Sequence, residues 1–114
     1  MTAARQALGA KGEALAARWY TDNGYEVVAR NWRCREGEID LIVRRRRTIV
    51  FCEVKTRTSD AFGLPAEAVT RAKRERLRHL AAKWLDESPV KPVGIRFDVA
   101  AVLDGHLEII EGAF

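Results

Sequence analysis

Two short stretches rich in Ile, Val, Leu and Phe, Ile39–Val43 and Ile49–Val54, flank the basic run Arg44–Arg47, and this pairing constrains the fold more than any other feature of the chain. Each has the length of a strand, and the short turn between them makes a β-hairpin. With the turn at Arg45–Thr48, Arg44 faces Ile49, and counting back along both strands sets Asp40 opposite Glu53. Side chains alternate along a strand, so Glu53, Lys55 and Arg57 share one face, and directly opposed residues point to the same side. Asp40, Glu53 and Lys55 are therefore expected to converge.

Opposed like charges destabilise a sheet, and a buried carboxylate costs several kcal/mol unless a partner compensates it. A divalent cation is such a partner. Two carboxylates offer the hard oxygen ligands that suit Mg²⁺ or Mn²⁺, which keeps several waters and takes phosphate oxygens as further ligands. The adjacent lysine would orient or polarise an attacking water. The competing expectation is that Lys55 merely neutralises Glu53 or Asp40 on a solvated sheet face. Against it stands the run Ile-Val-Phe-Cys-Glu-Val, which reads as an interior strand covered on both faces, where unpaired charge is rare.

The 114 residues suffice for one domain, residues 1–114, with a core of its own. The net charge of +4 matters less than the clustering of arginines, at Arg44–Arg47 and between Arg71 and Arg78. Such clusters suit a polyanion, or else form a solvated basic face. Cys34 and Cys52 have no CxxC spacing and no neighbouring histidine, so they are expected as reduced thiols and not as zinc ligands. Neither a signal peptide nor a membrane span is readable, and a cytoplasmic location is expected.

Along the chain, Leu8, Leu15, Ala16, Trp19 and Tyr20 recur at three- and four-residue steps, which predicts a helix over 2–23 stopped by Asn23-Gly24. Gly9 and Gly12 within it are expected to admit another backbone closely, and Glu13 lies on the flank of its apolar stripe. Tyr25–Trp32 reads as a strand, followed by a polar turn into the hairpin. Residues 58–65 read as a loop able to fold over a ligand, and a second helix is predicted from 65 or 66 to 87. Its stripe would be Val69, Ala72, Leu77, Leu80, Ala81 and Trp84. Lys73 interrupts that stripe, either snorkelling outward or aimed at a phosphate or at the carboxylates. Two strands, Ile95–Leu103 and Leu107–Ile110, close the chain around Asp104-Gly105, a strong hairpin signal. Asp98 in the first of them is either a third acidic ligand or, the better reading, the partner of an arginine such as Arg33 or Arg96. The order is αβββαββ, an α/β fold with a mixed central sheet flanked by helices.

That order, with Asp40 followed by Glu53-x-Lys55, resembles the PD-(D/E)xK nuclease superfamily and its restriction-endonuclease-like core. One branch is closer. Gly12-Glu13, Asn31-Trp32-Arg33, the segment from Gly37 to Ile42, Phe51, Glu53 to Arg57, Phe62-Gly63, Lys73, Arg96-Phe97-Asp98 and Ala113-Phe114 are similar to the YraN-like uncharacterised protein family. Carried over, the resemblance implies Asp40 and Glu53 as metal-binding carboxylates and Lys55 as the catalytic lysine. Glu13 matches the helix glutamate of archaeal Holliday-junction resolvases and would add an outer ligand or a water contact. Ile39 stands where the superfamily name has proline.

The resemblance thus implies a nuclease dependent on Mg²⁺ or Mn²⁺, cutting phosphodiester bonds in DNA, with branched or structured DNA in view. Arg44, Arg45, Arg46, Arg47, Arg57, Lys73, Arg74 and Arg76 are the residues expected to hold the strand. The alternative is a non-catalytic module that binds nucleic acid or recruits a partner and has kept the fold. No membrane partner is expected, and a homodimer is left open.

Overall fold

A computed structural model describes residues 3–58, 69–89 and 91–114. Helix α1 (Ala3–Asp22) leads into three strands, β1 (Glu26–Cys34), β2 (Gly37–Arg45) and β3 (Thr48–Arg57). Helix α2 (Arg71–Glu87) then precedes β4 (Gly94–Leu103) and β5 (His106–Ile110). The five strands form one sheet in the order β1-β2-β3-β4-β5, antiparallel except for the β3–β4 pair. A parallel pair cannot be joined by a hairpin, which is why α2 stands between its two members. The expected αβββαββ order and mixed α/β sheet are what the chain forms.

The sheet is covered on both faces. Against α1 lie Leu41, Val43, Val50, Cys52 and Ala100 with Ala16, Ala17, Tyr20 and Tyr25, and against α2 lie Ile39, Ile42, Ile49, Phe51 and Phe97 with Leu77, Leu80 and Ala81. Strand β3 gives alternate residues to each cluster, so it is the doubly covered interior strand that its unbroken apolar run predicted. Truncating Phe51, which is fully buried against Trp84 and Phe97, is expected to cost about 3–5 kcal/mol.

Several expectations need correction. Helix α2 begins at Arg71, because Thr70 is extended and its hydroxyl caps the Lys73 N–H at 3.4 Å, so Val69 is buried from outside the helix. The rest of the expected early start, and the loop over 58–65 beyond Thr58, lie outside the described residues. Ala72 and Leu15 are exposed, since the buried face of each helix is narrower than its list of apolar residues. A side chain at Gly9 would meet nothing, whereas one at Gly12 would collide with the Thr56 hydroxyl. Only the second glycine therefore reflects a close approach, and what approaches it is not the expected backbone but the Thr56 and Val54 side chains of β3, on which α1 sits.

The hairpin register is the expected one, with Arg44 facing Ile49 and Leu41 facing Cys52. Arg46 and Arg47 form its two-residue turn, Arg46 at φ 57, and Arg45 pairs with Thr48. Asp104 (φ 48) and Gly105 (φ 77) make the second hairpin turn in the conformation that favours Asp-Gly. Among the described residues no helix is long and apolar enough to cross a membrane.

Candidate active site

The chemistry gathers where β2 and β3 part. Their ladder ends at Leu41–Cys52, and the next bond is not a backbone rung: Oδ2 of Asp40 accepts the Val54 N–H at 2.8 Å. Strand β2 also turns over at this point. Ile39 belongs to the α2 cluster and Leu41 to the α1 cluster, although residues two apart on a regular strand share a face. On the neighbouring strand Asn31, between the Arg30–Leu41 and Trp32–Ile39 pairs, has φ 51, a left-handed conformation that Asn adopts more readily than most residues. The irregularity frees Asp40 from the ladder and turns its carboxylate toward β3.

Glu53 and Lys55 share a face of β3, as alternation required, and Nζ of Lys55 lies 3.2 Å from Oε1 of Glu53. Both side chains are largely buried, at 16% and 26% exposure for Glu53 and Lys55. Asp40 is half-buried and, among the described residues, has no salt-bridge partner. Burial first, and the Glu53 charge second, push its carboxyl up to about 7, with smaller contributions from Glu13 and Glu38 and partial relief from the Val54 N–H. The expected convergence of Asp40, Glu53 and Lys55 is therefore present, and Glu13, one residue beyond the Gly12 contact, lies within its electrostatic reach.

Lys73 turns toward this cluster. Its ammonium sits beside that of Lys55, which, with burial, lowers its proton affinity, while Glu53 acts in the opposite sense. Lys73 therefore lies next to Lys55 at the edge of the cluster, and among the described residues it makes no ion pair with Asp40 or Glu53. Two lysines from different elements thus lie side by side, one of them paired with Glu53.

Asp98 is not a third member. It is fully buried and its oxygens accept from Tyr20 Oη at 2.6 Å, Arg96 Nε at 2.8 Å, an Arg96 terminal nitrogen at 3.0 Å and the Gly112 N–H at 3.0 Å. Arg96, and not Arg33, is its partner, and Arg33 pairs with Glu38 at 2.8 Å.

The other basic residues spread over two regions. Arg44–Arg47 lie at the opposite end of the hairpin from Asp40 and Glu53. Arg57, Arg74 and Arg76 are exposed, and Arg74 stacks over Phe114 with its guanidinium 5.5 Å from the ring centre. His79 and His106 are exposed. The reach of Lys73 to Lys55, and the role of Asn31 in releasing Asp40, had no sequence signal beyond residue type.

A cation fits the donor chemistry of this site. Mg²⁺ binds through one or two carboxylates and completes its shell with water and phosphate oxygens, and Asp40 and Glu53 supply two carboxylates whose repulsion is incompletely relieved. Among the described residues no three Asp, Glu, His or Cys side chains form a ready ligand set.

Comparison with known proteins returns a match to the model of the uncharacterised protein family UPF0102 over residues 12–102. A UPF0102 protein of Nocardia farcinica is 57% identical over 109 residues, covering 94% of this chain and 86% of that protein. One from Beutenbergia cavernae is 57% identical over 100 residues, covering 88% and 85%, and one from Acidothermus cellulolyticus is 46% identical over 126 residues, covering 97% and 96%.

Proposed function

The chain belongs to the uncharacterised protein family UPF0102, and from that premise we propose that it is a metal-dependent nuclease hydrolysing phosphodiester bonds in DNA, branched or structured DNA included. What supports this is one observation: a half-buried Asp40 carboxyl, held up to about 7 beside Glu53, while Lys55 pairs with Glu53 and Lys73 lies next to Lys55. Such a cluster destabilises the fold that carries it, and perturbed groups of this kind concentrate at functional sites.

Asp40 and Glu53 would hold Mg²⁺ or Mn²⁺, and Glu13 would orient a water of its shell. When bound, the cation supplies Lewis-acid polarisation of the phosphate and activation of water near neutral pH. Lys55 positions the attacking water and stabilises negative charge developing on the phosphate oxygens, for which it must release Glu53. Lys73, adjacent to Lys55, contacts the scissile or neighbouring phosphate. The Val54 N–H holds the second oxygen of the Asp40 carboxylate in place, so the ligand is fixed before substrate arrives.

A second reading rests on the Lys55–Glu53 ion pair, which satisfies Glu53 without any metal. On that reading the chain is a non-catalytic module that binds nucleic acid or a partner. Calorimetric titration with Mn²⁺ separates the two: the nuclease binds the ion and Asp40→Asn abolishes binding. Cleavage of branched, single-stranded and duplex DNA with Mg²⁺ or Mn²⁺ completes the test, with Glu53→Gln and Lys55→Ala folded but inactive. Wild-type protein that neither binds Mn²⁺ nor cuts any of these substrates would leave the binding module as the function.

A further inference from the structure

A second cluster of charge lies at the turn end of the hairpin, away from the carboxylates. A cleft of about 480 Å³ opens there between Tyr25, Arg45, Arg46, Thr48 and Arg96. Arg45 stacks on the Tyr25 ring with its guanidinium carbon 4.4 Å from the centroid and donates to the Asn23 carbonyl at 3.3 Å, while Arg96 donates to the Tyr25 hydroxyl at 2.9 Å. Two guanidiniums from distant parts of the sequence are thereby fixed around one phenol, and Arg46 and Thr48 complete the lining from the turn.

The charges do not cancel. Arg96 is matched by Asp98 through two bonds and meets the half-exposed Glu111 at 3.4 Å. Arg45 and Arg46 meet no carboxylate among the described residues, so two positive charges remain on the cleft. Like charges concentrated in a concave site raise each other's energy and focus the field on an anion. A phosphate monoester carries about −1.5 to −2 charge at neutral pH, against −1 for a backbone phosphodiester, and its oxygens match guanidinium forks and hydroxyl donors.

We propose that this cleft binds a phosphate monoester group, held by Arg45 and Arg46 with Thr48 and the Arg96-bound Tyr25 hydroxyl as hydrogen-bonding partners. The site is distinct from the carboxylate cluster, since Arg45 is five residues from Asp40 and Thr48 five from Glu53, roughly 17 Å along the strands. It does not rest on cleavage. The same phosphate chemistry is presented by the 5′ end of a nucleic-acid strand and by free phosphate or a nucleoside 5′-monophosphate.

The experiment is run in EDTA, so that it is independent of metal binding at Asp40. Anisotropy titrations compare 3′-labelled single-stranded 12-mers bearing a 5′-phosphate or a 5′-hydroxyl, and thermal unfolding is followed with inorganic phosphate or a nucleoside 5′-monophosphate against chloride at equal ionic strength. A strand end as the source gives about tenfold tighter binding of the phosphorylated oligonucleotide. Free phosphate as the source gives a rise in Tm with inorganic phosphate or the mononucleotide and no oligonucleotide preference. In either case Arg46→Gln removes the effect. Arg46 touches the rest of the fold through its carbonyl, which accepts from Arg44 Nε at 2.8 Å, so its side chain is replaceable without unfolding the turn. Equal oligonucleotide affinities together with no Tm rise in the wild type overturn the proposal, as does an effect that survives in Arg46→Gln.

Discussion

The Asp40 carboxylate accepts the backbone N–H of Val54 at 2.8 Å, and through that bond a side chain takes the place of a rung of the β2–β3 ladder. The bond sets Asp40 between Glu53 and Lys55 along β3, because Val54 is the residue between them. It also favours the ionised form of Asp40, yet burial and the Glu53 charge outweigh it. The carboxyl is therefore protonated in the fold at pH values where an ordinary aspartate is charged.

The first prediction concerns pH. A carboxyl whose value rises from 3.8 to about 7 on folding binds its proton more tightly in the folded chain than in the unfolded one. Its contribution favours the fold at acid pH and is lost as pH rises from about 4 to about 7, each pH unit of displacement being worth about 1.4 kcal/mol. Metal-free wild type should lose stability relative to Asp40→Asn across that window and run parallel to it above. Glu36 acts elsewhere: its carboxyl, lowered to about 2 by Lys83 and Cys34, contributes stability that is lost only as pH falls from about 4.5 toward 2. Urea unfolding at a series of pH values compares the two proteins, and a constant difference between pH 4 and 7 would refute the assignment.

Replacing Asp40 separates its charge from its hydrogen bond. Asn retains an oxygen for the Val54 N–H and removes the repulsion with Glu53, so Asp40→Asn should be at least as stable as wild type at pH 8 without metal. Ala leaves that N–H without its partner and should be less stable than Asn by about 1–3 kcal/mol. Chemical denaturation of the two variants at pH 8 measures the gap, and equal stabilities would mean that water or relaxation replaces the bond.

Much of this site is legible in the sequence because strands obey a period of two. Once Arg44 faces Ile49, the placement of Glu53 and Lys55 on one face follows, and so does the proximity of Asp40. What alternation cannot foresee is a break in alternation: the turnover of β2 at Asp40 depends on Asn31 at φ 51 in the adjacent strand, a conformation that no local pattern announces. Helix positions are less legible still. Leu15 fits an apolar stripe and is exposed, because the covering of the sheet by α1 is carried by the small Ala16 and Ala17 with Tyr20. Arg96 and Tyr25 are 71 residues apart, and only the parallel pairing of β3 with β4 brings Arg96 to the hairpin's turn end.

Gly12 offers a test of the helix–sheet contact that carries Glu13. A Cβ there would strike the Thr56 hydroxyl, while Thr56 Cβ and Val54 Cγ1 would stand at 3.4 and 3.5 Å. Gly12→Ala should therefore cost about 1–3 kcal/mol through overpacking, partly offset by about 1 kcal/mol of helix propensity. In a Thr56→Ala background the colliding oxygen is gone, and the same substitution should be neutral or stabilising. A double-mutant cycle by denaturant unfolding gives the coupling, and additivity within 0.5 kcal/mol, about the limit for independent sites, would mean that the helix shifts away without cost.

The last prediction concerns how the basic hairpin end meets nucleic acid. Arg45, Arg46 and Arg47 are exposed, and among the described residues none is ion-paired. If they contact phosphates of the strand bound at the carboxylates, each neutralised phosphate of B-DNA contributes about 0.9 to the fall of log affinity with log salt. Changing all three to Ser should flatten that slope by up to roughly 2–3, and it should leave any sequence preference intact, since phosphate contacts position the duplex without reading it. Part of the loss should come from Arg45 through the fold itself, because its stacking on Tyr25 and bond to Asn23 go with it. Arg46→Ser and Arg47→Ser alone avoid that complication and should together account for most of the change. Anisotropy titrations of a duplex at several salt concentrations measure the slopes, and an unchanged slope in the triple variant would remove Arg45, Arg46 and Arg47 from the binding surface.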